Sequence, residues 1–224
     1  CAQPRNPLPA GVRCRLPSRG QFHIRAEVIG CYTDPPPGTT VICADELGPV
    51  TPRTFSPAPG WSADGHRIKA PLEYSRGTDK TWVYGGLRIR DGTELTFCAP
   101  SRNSDGWIQL LARIAKANRR GPIVVITDNL SSHSSWKVRQ WLARHPRIRQ
   151  VFIPVKACWL NLAEGWWRLL RKAGFAGQTF ADATEITHAV TVATAQLNAH
   201  AHPWVWGRPP PRPRALRRKF IYLL

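Results

Sequence analysis

The sequence is poor in acidic residues and contains no methionine. Its 224 residues include 14 Asp and Glu against 32 Lys and Arg, which gives a formal net charge of +18 at pH 7. This excess favours a polyanionic partner, most simply nucleic acid, with a basic surface that has no specific partner as the alternative. Because the chain lacks methionine and starts at Cys1, we expect a fragment, a processed product or the translation of a truncated reading frame.

Membrane segments and cysteine motifs are also missing. No apolar run approaches the roughly 18 residues of a membrane helix, and no N-terminal signal pattern is present. The six cysteines are scattered, without a CxxC pair or a Cys/His cluster at zinc spacing. We therefore expect a cytoplasmic protein with reduced cysteines and no membrane partner. Hydrophobic residues make up 42% of the chain, so a core can form and wholesale disorder is excluded.

Three regions differ in composition. Residues 1–25 carry five Arg, several Pro and no acid, which predicts a basic, proline-rich arm. Residues 207–224 are again rich in Pro and Arg without an acid, which predicts a basic C-terminal tail. Residues 26–206 lie between these segments and predict one folded domain.

The pattern of apolar residues within this domain predicts its elements. Short apolar runs predict buried strands at 39–44, 122–127 and 151–153, and Asp91-Gly92 between two apolar runs predicts a hairpin. Helical spacing predicts helices at 105–119, 134–144, 160–173 and 181–200, and residues 47–80 predict an irregular excursion. This order predicts an α/β fold in which helices flank a mixed sheet.

Three of the few acids occupy informative positions. Asp45 and Asp128 directly follow predicted strands, and acids at the carboxyl ends of adjacent strands can converge on one crevice. Glu164 lies in an otherwise apolar helical segment, where an acid is either paired or directed at a site. Each acid alone has a plainer interpretation: a turn former or helix N-cap for either Asp, and a partner of Arg168 for Glu164. The three together favour a shared site.

The chemistry of such a site follows from its carboxylates. Crowded carboxylates repel one another unless cations neutralise them, and their hard oxygen ligands suit Mg²⁺ or Mn²⁺. Two such ions about 4 Å apart can activate the attacking oxygen and stabilise the leaving oxygen of a phosphodiester. The sequence therefore predicts a site for two divalent ions at Asp45, Asp128 and Glu164, with the basic remainder of the chain holding a nucleic acid backbone.

The segments around these acids resemble the DDE transposases of bacterial insertion sequences in the mariner superfamily. The matching stretches are VICADELGP (41–49), PGWSADGHR (59–67), TWVYGG (81–86), ITDNLSSH (126–133), WLNLAE (159–164) and PWVWGRPP (203–210). The likeness covers about residues 26–224, and the 35 residues between Asp128 and Glu164 suit this superfamily.

The resemblance implies a ribonuclease H-like catalytic domain at residues 26–206, with Asp45, Asp128 and Glu164 as the catalytic and metal-binding triad. It implies Mg²⁺-dependent strand cleavage at transposon ends, followed by attack of a 3′-hydroxyl on target DNA. The implied partner is DNA, bound by a homodimer in the bacterial cytoplasm at the nucleoid, with no small-molecule substrate. Family members carry N-terminal helix-turn-helix domains, which nothing before residue 26 is expected to form. A nuclease of the same fold and an inactive DNA-binding remnant of a decayed transposase are the alternatives.

Two polar residues are candidates for supporting roles. Asn161 can orient a carboxylate or a metal-bound water, and His133 can contact DNA or the site, although such a His is also a common local hydrogen-bonding group. Candidate DNA-binding residues, with a solvated surface as the alternative, are Arg168, Arg171, Lys172, Arg212, Arg214, Arg217 and Arg218.

Aromatic residues near Glu164 and the acid beside Asp45 complete the candidates. We expect Trp166 in the core, whereas Trp159 and Trp167 can either stack on flipped bases or pack inside. Glu46 is expected to point away from Asp45, because successive residues of a strand face opposite sides.

Overall fold

The elements follow the order that the sequence predicts, with an additional helix at the start and two short additional strands within the stretch 47–80, which was expected to be irregular. The structure is a computed structural model that describes residues 19–55, 64, 74–76 and 79–207. Its helices are α1 (Arg19–Thr33), α2 (Ser104–Ala117), α3 (Trp136–Ala143), α4 (Ala163–Leu170) and α5 (Ala183–Ala199). Its strands are β1 (Thr40–Val50), β2 (Arg53–Phe55), β3 (Tyr74–Arg76), β4 (Thr81–Arg88), β5 (Glu94–Ala99), β6 (Ile123–Thr127) and β7 (Ile148–Phe152).

A five-stranded sheet of mixed direction lies at the centre, in the order β5-β4-β1-β6-β7. The first three strands of that order pair antiparallel, whereas β1 with β6 and β6 with β7 pair parallel. The predicted α/β fold with a mixed, helix-flanked sheet is therefore confirmed. β2 and β3 form a separate two-stranded ribbon.

Both faces of the sheet are covered by apolar layers. One layer packs α1, α4 and α5 against the face that carries Cys43, Val83 and Ile126. The other packs α2 and α3 against the face that carries Ile42 and Val125. β6 and the first half of β1 are buried on both faces and consist of nearly continuous apolar residues, which is the pattern that made them recognisable in the sequence.

Local hydrogen bonds explain where several elements begin. The Asn103 side chain accepts the Gly106 amide at the start of α2, and Asp182 accepts the Thr184 and Glu185 amides at the start of α5. In the predicted hairpin, Asp91 accepts the Thr93 amide, and Gly92 takes a φ of +74° that favours glycine. Asp91-Gly92 therefore connects β4 to β5 as expected.

Several boundaries differ from the predictions. β1 does not end at residue 44 but continues to Val50, because its antiparallel pairing with β4 extends beyond the last parallel pair with β6. The helix predicted at 160–173 is divided into a 3₁₀ turn (Cys158–Leu160), α4 and a π turn (Arg171–Phe175). β7 begins at Ile148 rather than at residue 151. The described residues contain no helix that is long and apolar enough to span a membrane.

Both predicted terminal segments lie mainly outside the described residues. α1 begins at Arg19, so positions 19–25 of the predicted arm are helical. Residues 201–207 run back over the domain: the Trp204 amide donates to the Ile89 carbonyl at 3.0 Å, and the Trp204 ring lies against Gly165 of α4. This segment therefore helps to hold α4 in place.

Candidate active site

Asp45 and Asp128 lie on neighbouring parallel strands. Cys43 of β1 is paired with Ile126 of β6, and each Asp lies two residues further along its own strand direction. β1 continues past this point while β6 ends at Thr127, so Asp45 lies within a strand and Asp128 directly follows one. The register therefore brings both acids to the same end of the sheet, as the sequence predicts.

Glu164 reaches this end of the sheet from the first turn of α4, where its side chain is exposed. Trp166 and Trp167 are buried in the layer beneath it and fix the helix to the sheet. The buried Asn161 side chain joins the two elements: its Nδ2 donates to the Ala44 carbonyl at 3.4 Å, and its Oδ1 accepts the Ala163 amide at 3.2 Å. Asn161 therefore attaches the start of α4 to β1 beside Asp45.

The pKa of Asp45 indicates that Asp45, Asp128 and Glu164 lie near one another. Burial raises the pKa of Asp45 from 3.8 to about 7. The Glu46 amide donates to Asp45 Oδ1 at 2.8 Å and opposes this rise, whereas the charges of Glu46, Asp128 and Glu164 add to it. Asp128 and Glu164 are thus close enough to Asp45 to repel its negative charge.

Asp128 is held by a buried histidine. His133 Nδ1 lies 2.9 Å from Asp128 Oδ1, and the Leu130 amide donates to the same oxygen at 3.1 Å. Hydrogen bonding to His133 lowers the pKa of Asp128 below its ordinary value. For His133, burial alone would lower the pKa, but its hydrogen bonds with Asp128 and Glu46 outweigh burial and raise the pKa to about 9. The ring is therefore a cation at neutral pH.

The carboxylates of Asp45, Asp128 and Glu164 are ligands of the kind that divalent metal ions prefer. No three His, Cys, Asp or Glu side chains in the described ranges are arranged so that they could hold a metal ion. The pKa of Asp45, however, is raised first by burial and then by the negative charges of Glu46, Asp128 and Glu164, so these carboxylates act on one another. Carboxylate oxygens around such a charge are the ligands that Mg²⁺ and Mn²⁺ prefer. Asp45, Asp128 and Glu164 therefore fit the implied ions by chemistry.

The other candidates divide into three groups. Arg168, Arg171 and Lys172 are exposed on α4 and the following π turn, on the element that carries Glu164. Trp159 is 56% exposed, with the Arg25 guanidinium 5.9 Å from its ring centre. Arg212, Arg214, Arg217 and Arg218 lie outside the described residues.

Two residues near the acids were missed at the sequence level. Glu94 is buried at 5% exposure, and the charge of Asp45 contributes to the rise of its pKa. Glu94 shares one face of β5 with Thr96 and Cys98, and this pattern in the sequence carries no signal of burial. Arg102 lies close enough to Asp128 to lower its pKa, and it was one of many basic residues without a distinguishing pattern.

The fold is shared with a solved transposase. The structure matches the solved structure described as "Mos1 transposase paired-end complex with left transposon end" with a TM-score of 0.54 and 14% sequence identity. The match covers 89% of this chain and 64% of the Mos1 chain. This similarity confirms the ribonuclease H-like fold of the mixed sheet and its flanking helices.

The sequence comparisons define the family. Residues 40–187 match the family described as "DDE superfamily endonuclease", which is most of the chain, so the chain belongs to the DDE superfamily endonucleases. A relative from Shigella sonnei, "Insertion element IS630 uncharacterized 39 kDa protein", is 31% identical over 93 residues. That match spans 41% of this chain and 27% of the relative. The resemblance to DDE transposases that the motifs indicated is thereby confirmed.

Proposed function

We propose that the chain is the catalytic domain of a transposase, which cleaves DNA strands at transposon ends and transfers them to target DNA with Mg²⁺ or Mn²⁺. One observation carries the proposal: Asp45 and Asp128 lie at the same end of the paired strands β1 and β6, and Asn161 attaches the helix of Glu164 to β1 beside Asp45. Carboxylates that repel one another at one end of a sheet favour the binding of divalent cations. The similarity to the Mos1 complex and to the insertion-element protein, together with the net charge of +18, supports DNA as the substrate.

Each side chain has a separate task in this proposal. Asp45, Asp128 and Glu164 would hold two ions, which supply Lewis-acid activation of the attacking and leaving oxygens. Asp45 must lose its proton before it can act as a ligand, so its contribution grows as the pH rises through about 7. The exposed Glu164 would complete the ligand set from the side of α4.

The DNA backbone would lie along the basic residues that surround the acids. Arg168 and Arg171, which are exposed on the Glu164 side, and Arg102, which acts on the charge of Asp128, would contact phosphates. We expect a homodimer on DNA in the bacterial cytoplasm, at the nucleoid. Light scattering of the chain, with and without transposon-end DNA, measures the oligomeric state.

A nicking assay with isosteric variants tests the proposal. Asp45→Asn, Asp128→Asn and Glu164→Gln should each reduce Mn²⁺-dependent nicking of supercoiled plasmid by about 100-fold or more, because metal activation is worth several kcal/mol. DNA affinity should stay largely intact. Glu27→Gln is the matched control, because Glu27 is an exposed acid that pairs with Arg149 at the start of β7, away from the site. Full nicking by Glu164→Gln would contradict the assignment.

Strand transfer separates the transposase from the alternatives. A precleaved end that carries the terminal repeat of the parent element should be joined to plasmid DNA by the wild-type chain. Nicking without joining would favour a nuclease of the same fold. A wild-type chain that binds DNA but nicks no better than its three variants would instead be an inactive remnant.

A further inference from the structure

The side chain of His133 connects two strands of the sheet at the level of the acids. Its ring is fully buried, with Nε2 at 2.9 Å from Glu46 Oε1 and Nδ1 at 2.9 Å from Asp128 Oδ1. Trp107 of α2 stacks on the ring, with 3.6 Å between the ring centres. The ring therefore has a fixed position and a fixed orientation.

Glu46 is directed toward this ring by the geometry of β1. It follows Asp45, and because strand residues alternate in direction, it lies on the opposite face of the sheet, toward α2. Its side chain is 2% exposed, and His133 Nε2 is its hydrogen-bond partner. Glu46 thus points away from Asp45, as the sequence predicts, and is linked to Asp128 through the ring of His133.

We propose that Glu46 and His133 are positioning residues that orient the Asp128 carboxylate for metal binding, an inference that rests on the proposed function. Glu46 fixes the ring, and the ring fixes Asp128 Oδ1. The Leu130 amide donates to the same oxygen. Within the described ranges, Asp128 Oδ2 has no protein hydrogen-bond partner, so it is the oxygen that the fold leaves for a ligand.

Asp128 needs such support because of its location. It directly follows β6, and its side chain is 46% exposed, so packing alone does not select one rotamer. Without a fixed partner, binding an ion would require this side chain to be ordered at the moment of binding. A hydrogen bond from a rigid ring removes that cost in advance, as outer partners of metal ligands commonly do.

The alternative is that the pair only stabilises the fold. Burying a carboxylate and an imidazole is costly, and an apolar pair of the same size is often as stable, so stability alone does not explain the arrangement. The ring also has local partners, since Nδ1 lies 3.1 Å from Thr127 Oγ1 and 3.4 Å from the Asp128 carbonyl. These contacts could hold the ring without Glu46, so the roles of ring and glutamate must be tested separately.

Metal binding measured without catalysis provides the test. In the full chain, Mn²⁺ affinity is measured by calorimetry and electron paramagnetic resonance, together with the Mn²⁺ concentration for half-maximal nicking and the thermal unfolding temperature. His133→Asn and Glu46→Ala should each weaken Mn²⁺ binding by about 10- to 100-fold. Glu46→Gln keeps an acceptor oxygen of the same shape and should restore most of the affinity. DNA affinity should not change in any of the three.

His145→Asn is the matched control for the loss of a stacked imidazole. His145 stacks on Trp141 of α3 at 3.7 Å between ring centres, and its Nδ1 lies 2.7 Å from the Trp141 carbonyl. This pair lies away from the acids. This variant should keep the wild-type Mn²⁺ affinity. An equal loss of affinity in His145→Asn, or none in Glu46→Ala, would overturn the inference even if His133→Asn does not fold.

Asp128→Asn distinguishes failure of this inference from failure of the proposed function. If Asp128→Asn loses Mn²⁺ binding while Glu46→Ala and His133→Asn retain it, only the positioning role is wrong. If Asp128→Asn itself binds Mn²⁺ like the wild type, the metal site of the proposed function is wrong, and the positioning role fails with it.

Discussion

Glu94 is a carboxyl group that the fold buries without a good hydrogen-bond partner. Neither of its carboxyl oxygens makes a hydrogen bond of normal geometry within the described ranges, and the same holds for the nearby indole nitrogen of Trp167. Burial raises the pKa of Glu94 well above 4.5, the charge of Asp45 adds to this, and the Gly86 amide offsets part of it. A carboxyl group in this environment keeps its proton at pH values where the unfolded chain has lost it.

Replacing Glu94 by a residue that cannot ionise should change how the free energy of unfolding depends on pH. Because the folded pKa of Glu94 is raised, the wild-type free energy of unfolding should fall as the pH rises from about 4.5 toward that pKa, by about 1.4 kcal/mol for each unit of the rise. Glu94→Gln cannot ionise and should lack this fall. Urea unfolding at pH 4.5 and pH 8 measures the difference.

The buried amide of Glu94→Gln lowers the free energy of unfolding by the same amount at both pH values. The change in stability between pH 4.5 and pH 8 is therefore independent of this cost. Glu185→Gln is the control, because Glu185 is an exposed acid in the first turn of α5. A Glu94→Gln protein that loses as much stability as the wild type between pH 4.5 and pH 8 would show that Glu94 titrates normally.

Individual residues also show where sequence reasoning stops. Asp45, Asp128 and Glu164 could be found because each interrupts or ends an apolar segment. Glu94 could not, because its polar neighbours on β5 give no signal of burial. It is buried by helices distant in sequence: Trp167 of α4 lies near its carboxyl group, and Asn198 of α5 accepts its amide and donates to its carbonyl, both at 2.8 Å. His133 was open to a local interpretation, because its partner Glu46 lies 87 positions away in the sequence.

At the level of elements, the close packing of α4 on β4 depends on a glycine, Gly85, which has no side chain. Gly85 is paired with Asp45 across the sheet, and a Cβ at Gly85 would overlap the Trp167 ring and lie 2.5 Å from Glu94 Oε1. The Trp167 ring is buried and cannot move without α4, which carries Glu164. Only glycine at this position allows the helix to approach so closely.

Gly85→Ala should therefore separate α4 from the sheet. We expect a loss of about 1–3 kcal/mol in the free energy of unfolding, as for other overpacked cores, together with weaker Mn²⁺ binding because Glu164 is displaced. Unfolding and calorimetric titration of the same preparation measure both effects.

Gly86→Ala provides the control for Gly85→Ala on the other face of the same strand. A Cβ at Gly86 would lie 3.0 Å from the flexible end of Ile114 in α2, so it should cost some stability without moving α4. Equal losses of Mn²⁺ affinity in both variants would mean that the sheet, rather than the position of α4, is disturbed.

The order of elements could be predicted, but their extent could not. The buried strands β1 and β6 and the helices α2, α3 and α5 follow from apolar periodicity. α1 was missed because, among residues 23–33, for which burial is described, only Val28 and Cys31 are buried, which leaves a weak pattern. The end of β1 was placed too early because the apolar run stops at Asp45 and Glu46, although antiparallel pairing with β4 carries the strand past them.

At the scale of the whole molecule, the charge of +18 must be distributed around a site made of acids. A uniformly basic surface would bind DNA in any orientation, whereas an active site needs the backbone to pass close to Asp45, Asp128 and Glu164. The exposed cations Arg168, Arg171 and Lys172 lie on α4 and the following π turn, on the segment that carries Glu164, and we expect them to border that path. The total charge and the position of these cations on the helix of Glu164 could be read from the sequence. The side of the sheet that the helix covers could not, because it depends on how α4 docks.

The salt dependence of DNA binding should reveal which cations contact phosphates. Each lost phosphate contact lowers the slope of log affinity against log salt by about 0.9 on duplex DNA, so Arg168→Gln with Arg171→Gln should lower it by about 1.8. Lys116→Gln with Arg119→Gln is the control, because these exposed cations lie at the end of α2 and beyond it, near the start of β6 and away from the acids. Fluorescence anisotropy between 50 and 300 mM salt (~0.8 in log units) resolves such slopes. Equal reductions in both double variants would indicate binding through diffuse charge rather than along a path beside the acids.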